Sequence, residues 1–397
     1  MVGPLSSADR SERGPAGDER GRSPATARPR DRQILVVGDG LAAAATAGFL
    51  GQAGFDPVLA SASSERTRSP LVTLWEPGLA LLERIGLRRP VERLGTPLDR
   101  LARPDAAQSW MRNGDARPSL VAVRRSRLRA LLDRQLRGRL RTAERPVTDI
   151  EPTADGVSAT FESGIDEPFD TVVTTDRSLL WTREATPTAR SVHTWAFEWP
   201  DGVPSPDAPT EAWDDALAAF TVPVADGTLV RLVAGVETAP ATAVSVDELG
   251  GLFGPLFAAT GDPFARLDQH TLRYRRVPLV VPASMRPGRV ALVGPAARTT
   301  LPGNPLRAAL GVEDAWVLAD TLAYGPPDID DALDAYERRR RRRSTELLPG
   351  HGNAAGTRVD AALCPPLRRL CAARTLAFGH VVDGRVPELA RSVPDAL

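Results

Sequence analysis

Lysine is missing from this chain: all 50 of its basic residues are arginine. A bias spread along the whole sequence marks no site, but it removes one chemistry, because no side-chain amine is available for a Schiff base or a lysine general base. Cysteine is almost missing as well. The 2 that occur, Cys364 and Cys371, lie near the C-terminus and are too few for a disulfide framework. Histidine is confined to 4 positions, His193, His270, His351 and His380, too scattered for a zinc site built from local spacing. An excess of one charge is also lacking. The 50 basic residues balance 50 acidic ones, so the total gives no reason to expect nucleic acid or an anionic membrane as partner. No apolar run reaches transmembrane length, and residues 1–31 contain no signal-peptide core. Those first residues are Gly, Pro, Ser, Arg and acid, a composition that reads as a disordered arm. Asp9, Glu12, Asp18 and Glu19 within it argue against a transit peptide. These absences together lead to the expectation of a soluble, cytoplasmic protein whose oligomeric state the sequence leaves open.

What is present is ample apolar pattern in 397 residues, enough for one large α/β unit or two domains. "QILVV" (33–37) is an all-apolar run, as expected of a strand covered on both faces. It is followed by "GDG" and an alanine-rich helix over 41–53, then by a short strand "PVLA" at 57–60. This is a βαβ unit, whose right-handed crossover places the two strands side by side. "EPGLALLERIGL" (76–87) predicts an amphipathic helix with Leu79, Leu82 and Ile85 on one face. "RRSRLRALLDRQLRGRL" (124–140) predicts another, apolar at Leu128, Leu131, Leu132 and Leu136. From 147 the pattern changes to strands, and residues 188–287 alternate like a β-rich module with one helix near 247–260. "RVALVG" (289–294) returns to the buried-strand pattern, and the helix "VEDAWVLADTLAYG" follows. The run "ERRRRRR" (337–343) reads as the solvated face of a last helix, balanced by neighbouring acids.

A strand followed by Gly38-x-Gly40 and a helix, a later "RxxL" (Arg125, Leu128), an Asp after a buried strand (Asp176), and "GRVALVGPAARTTLPGNPLRAALGVEDAWVLADTL" (288–322) occur in that order. The chain thereby resembles the FAD-dependent aromatic hydroxylases, the para-hydroxybenzoate hydroxylase-like monooxygenases, over about residues 32–345. The resemblance implies a Rossmann-like α/β FAD-binding domain, discontinuous over 32–186 and 286–350. It implies a second, β-rich (α+β) substrate domain at 187–285, with 351–397 a C-terminal tail. It also implies cofactor contacts at Gly38, Gly40, Ala43, Arg125, Asp176 and Gly294. NAD(P)H would reduce bound FAD, and O₂ would oxygenate a hydrophobic or aromatic small molecule, with most of the chemistry belonging to the cofactor.

The positions that meet FAD in that family are nevertheless largely changed here. Ala43 replaces a third glycine, a mild substitution. Ser61 stands where an acidic residue binds the adenosine ribose, with Glu65 four residues on as a substitute. A neutral hydroxyl gives a weaker hydrogen bond than a carboxylate. Arg177 follows Asp176 where relatives carry glycine. In "GPAAR", Pro295 replaces the aspartate that contacts the ribityl chain, and Arg298 replaces a histidine. Pro305, Leu306 and Arg307 replace a Gly-x-Gly turn, while Pro302, Glu313 and Asp314 persist, the last two assigned mainly to helix structure. Core strands are kept while ligand-side residues depart. The sequence therefore supports a flavin-free or weakly binding pseudoenzyme on the monooxygenase fold. The alternative is an active FAD- and NAD(P)H-dependent hydroxylase. His193 and His270 carry no catalytic assignment, and Trp195, Phe197, Trp199 and Tyr274 are read as either a pocket or core.

Overall fold

The computed structural model describes residues 31–347, apart from 63–69, 98–100, 103–106, 109–119, 137, 181–189, 208, 214–216, 236–243, 259, 280–281, 283 and 299–304. The N-terminal arm to residue 30, Glu65, Pro302, Cys364, Cys371, His351, His380 and the tail from 351 lie outside the described residues.

A five-stranded parallel sheet forms the centre. Its order is Val290–Leu292, Thr171–Thr174, Ile34–Val37, Val58–Ala60 and Arg141–Thr142. The strand Ile34–Val37 is buried along its whole length. Parallel strands covered on both faces carry such continuous apolar runs, so "ILVV" alternates with nothing. Helix Leu41–Gln52 returns the chain to Val58–Ala60, which pairs beside the first strand. That helix is apolar nearly all round, and Ala43, Ala45 and Ala47 have no exposed surface. Small side chains let it seat against the long helix Pro305–Tyr324, where Phe49 meets Trp316 edge-on at 5.2 Å.

Strand Val290–Leu292, within the run "RVALVG" that reads as a buried strand, joins this sheet beside Thr171–Thr174. The long helix then packs across both Leu41–Gln52 and Glu76–Arg84, with Ala309 against Gly78. Leu79 and Leu82 on Glu76–Arg84, and Leu128, Leu131 and Leu132 on helix Arg125–Leu136, are buried on the apolar faces read from sequence. Two small antiparallel sheets flank this layer. One joins Val147–Pro152, Val157–Phe161 and Asp166–Phe169; the other joins Leu71–Trp75, Leu120–Arg124 and Thr96–Pro97.

A seven-stranded sheet is built chiefly from Arg190–Glu198, Thr210–Trp213, Leu217–Val224, Gly227–Gly235 and Arg273–Leu279. Leu101–Ala102 and Ala107–Gln108, from the first part of the chain, extend its edge. One face carries Trp195, Phe197, Trp199 and Leu232, packed under helix Val246–Phe253 through Leu249 and Phe253. That helix starts with a capping box between Ser245 and Glu248. The aromatic cluster is core among these residues. His193 is buried beside it and shares a 2.7 Å hydrogen bond through Nδ1 with Tyr274 Oη. Burial, with the Arg276 charge nearby, holds the His193 pKa below its ordinary value. His270 sits exposed in a short turn.

Candidate functional site

The parallel strands run in one direction, so their carboxyl ends open on one side, where ligands bind in folds of this type. The segments that leave those ends are Gly38–Gly40, Ser61, Thr175–Asp176 and Gly294–Arg298. Hydrogen bonds knit the ends together. Gly38 N–H donates to Ala60 O at 2.8 Å, Thr175 N–H to Val37 O at 3.0 Å, and Val293 N–H to Thr174 O at 3.0 Å. The Ser61 carbonyl accepts from Val147 N–H at 2.9 Å and so belongs to the sheet edge.

Each proposed contact residue has a definite local role here. Gly38 has φ +148°, and a Cβ there would lie 2.0 Å from Thr175 Oγ1, so only glycine fits. Gly40 caps helix Leu41–Gln52, and a Cβ on it would meet nothing within 4 Å. The helix has no side-chain cap and no acidic residue in its first turn. Ala43 is wholly buried behind the turn. Gly294 has φ +58°, and a Cβ there would stand 3.0 Å from Ala42 Cβ of the same helix. Asp176 is buried and accepts at Oδ1 from Ser178 N–H (3.0 Å) and Ser178 Oγ (2.8 Å), holding the short 3-10 turn Arg177–Leu180. The sheet therefore brings Gly38, Gly40, Ala43, Asp176 and Gly294 to one edge. Arg125 opens helix Arg125–Leu136, with its N–H donating to Pro70 O at 2.7 Å. Its helix meets the same edge through Arg129, which pairs with Asp39 at 2.5 Å. Asp39 and Arg129 were not singled out in the sequence. Their signals were a carboxylate between the two glycines and an arginine one helical turn after Arg125.

The segment "GPAAR" is organised around a buried ion network. Asp314, fully buried on the long helix, accepts both Arg298 Nη1 (2.7 Å) and Nη2 (2.8 Å), the N–H of Gly294 (2.8 Å) and Arg340 Nε (2.6 Å). Arg340 also reaches Glu313 at 3.2 Å, as does Arg343. Burial alone would raise both carboxyl pKa values. The surrounding guanidinium charges outweigh it: Arg298 and Arg340 for Asp314, Arg343 and Arg340 for Glu313. Both carboxyls are held below the ordinary range. Burial pushes the Tyr336 hydroxyl well above its usual pKa, and it donates to Leu292 O at 2.7 Å. The arginine run is thus not simply a solvated face. Arg340 points inward and is buried, because helix Ile329–Leu347 packs on the long helix with Asp314 beneath that position. Pro295, at the tip of the same turn, is exposed.

Set against what FAD requires, the two ends of this edge differ. The Gly38–Gly40 turn and the uncapped helix start have the open shape that a diphosphate needs. At the other end, Asp314 is enclosed by its own cations, and no carboxylate stands at position 295. Among the described residues no group of His, Cys, Asp and Glu could hold a metal ion. No helix among them is long and apolar enough to cross a membrane.

No protein-family model matches the chain. It is 27% identical over 348 residues to the FAD-dependent urate hydroxylase of Klebsiella pneumoniae, covering 80% of this chain and 88% of that one. Its fold is similar to the crystal structure of Klebsiella pneumoniae HpxO complexed with FAD and uric acid. There the TM-score is 0.64 at 23% identity, over 92% of this chain and 98% of that one. The tetracycline destructase Tet(55) has the same fold at TM-score 0.62 and 16% identity, over 87% and 96% of the two chains.

Proposed function

We propose, from the premise that the chain is related to the FAD-dependent aromatic-hydroxylase-type monooxygenases, that it uses their fold with little or no flavin bound. In this reading it is a pseudoenzyme that retains a crevice for a small hydrophobic or aromatic molecule. Residues 32–186 and 286–350 make up its flavin-type unit, and 187–285 the unit toward the small molecule. The observation that carries the reading is the turn Gly294–Arg298. Exposed Pro295 stands where relatives carry the aspartate for the ribityl chain, and Arg298, in place of their histidine, is buried and closes on Asp314. Asp176 supports the same reading, since its Oδ1 is used by Ser178. Fold alone leaves function open. The first test is an absorbance spectrum of the purified full chain. The reading expects no flavin bands above trace; flavin near stoichiometry would contradict it.

A second reading is favoured by the open space at Gly40, at the start of helix Leu41–Gln52, which has no side-chain cap. In it the chain is a working FAD- and NAD(P)H-dependent hydroxylase of an aromatic small molecule. Its relatives include a urate hydroxylase, which makes a planar, polar ring system the first substrate class to try. When bound, FAD would supply the redox chemistry. Gly38, Gly40 and the start of helix Leu41–Gln52 would hold its diphosphate, and Arg125 would stand near it.

A further inference from the structure

His193 is 1% exposed, on the helix-covered face of the seven-stranded sheet, in strand Arg190–Glu198. Its ring stacks on two others, with the Trp195 centroid at 5.9 Å and the Tyr274 centroid at 5.7 Å. Nδ1 shares its hydrogen bond with Tyr274 Oη, and Nε2 is buried with no partner among the described residues. Tyr274 belongs to Arg273–Leu279, the edge strand of that sheet, so this bond joins the edge to its neighbour. A neutral imidazole suits the place, because one of its two nitrogens need not donate. An imidazolium donates from both, and here Nε2 would find no acceptor.

The surrounding charges make the site less hospitable still to a cation. Arg276 stands directly opposite His193 in the strand pairing, a like charge to an imidazolium. On the other side, strand Gly227–Gly235 sets Ala234 opposite it. Helix Val246–Phe253 turns Leu249 and Phe253 to this face; its Asp247 and Glu248 are exposed, and Glu248 is held by Ser245. Among the described residues, Arg276 is the charge that acts on His193. The faces of Trp195 and Tyr274 attract a cation, but by less than the cost of taking an unpaired charge out of water.

We propose that His193 is an acid-sensitive latch, whose protonation releases the edge strand Arg273–Leu279 from the seven-stranded sheet. The latch is independent of whether flavin binds. Its sign follows from burial. The folded protein resists the proton more than the unfolded chain does, where histidine titrates at about 6.5. The stability due to neutral His193 is therefore complete above about pH 6.5 and is lost as pH falls from there toward the folded value. Each pH unit in that window changes the opening constant by up to about tenfold.

The test has two arms on the full chain. Histidine ring NMR follows the 4 histidines of the wild type from pH 8 to pH 5. His193 is recognised by its contacts to the Trp195 and Tyr274 rings. It should titrate below about 6.5; a midpoint at or above that value overturns the proposal. Hydrogen exchange, corrected for intrinsic rates, then compares pH 7.5 with pH 5.5 in the wild type, His193→Phe and His193→Gln. In the wild type, protection over 273–279 should fall about threefold or more in acid, while Ile34–Val37 stays unchanged. Either variant that folds should show no such fall, because neither side chain takes a proton in this range. No loss in the wild type overturns the proposal, as does an equal loss in a folded variant. Should neither variant fold, the wild-type midpoint and the confinement of the loss to 273–279 decide it.

Discussion

Asp314 is the residue on which the buried ion network behind the Gly294–Arg298 turn depends. It has no exposed surface and holds two arginines and a backbone N–H at once. Removing one partner from such a buried set leaves uncompensated charge, which costs about 3–5 kcal/mol. Asp314→Asn is therefore expected to lower stability by about that amount in urea unfolding. The pH response follows from the same contacts. The folded pKa values of Asp314 and Glu313 lie below the unfolded ones of about 3.9 and 4.3. The stability they contribute is complete above that range and is withdrawn as pH falls through the folded values. The wild type should lose stability steeply below about pH 4, with a smaller loss in Asp314→Asn. A wild-type curve that is flat there would count against the network.

At the scale of elements, helix Arg125–Leu136 is held from two sides. Arg129 ties it to the Gly38–Gly40 turn. Arg127 and the preceding Arg124 tie it to Asp226, in the hairpin between strands Leu217–Val224 and Gly227–Gly235. Arg124 also pairs with Glu198 at 2.5 Å. The helix that presents Arg125 thus links the parallel layer to the seven-stranded sheet. Asp226 is 38% exposed and Glu198 60%, so solvent screening limits the strength of this clamp. Asp226→Asn should cost no more than about 1 kcal/mol at low salt, and the difference should shrink in 1 M salt. A loss that is large and independent of salt would mean that packing, and not charge, makes the link.

For the whole molecule, the parts of the fold legible in sequence were those with local causes. The buried run "ILVV", the alanine-rich helix and the apolar faces at Leu79 and Leu128 each follow from periodicity and burial. The run "RVALVG" was legible as a buried strand from its apolar pattern, and its pairing beside Thr171–Thr174 came from the structure. What could not be read depends on partners far apart in the chain. Asp39 meets Arg129 across 90 positions, and Arg340 reaches Asp314 across 26. No periodicity distinguishes Arg340 from the five arginines around it; only the packing of two helices does. The candidate site was legible as a set of changed motif positions, and the structure adds what their neighbours do. Asp176 holds a turn, and Arg298 closes on Asp314.

The claim that the flavin end of the crevice has been rebuilt is tested most directly by titrating FAD and following its fluorescence. The wild type is compared with the triple variant Pro295→Asp, Arg177→Gly, Arg307→Gly. The account predicts weak or no binding by the wild type and an affinity at least about tenfold higher in the variant, a gain of about 1.4 kcal/mol or more. Tight binding by the wild type, or no gain in a folded variant, would contradict it.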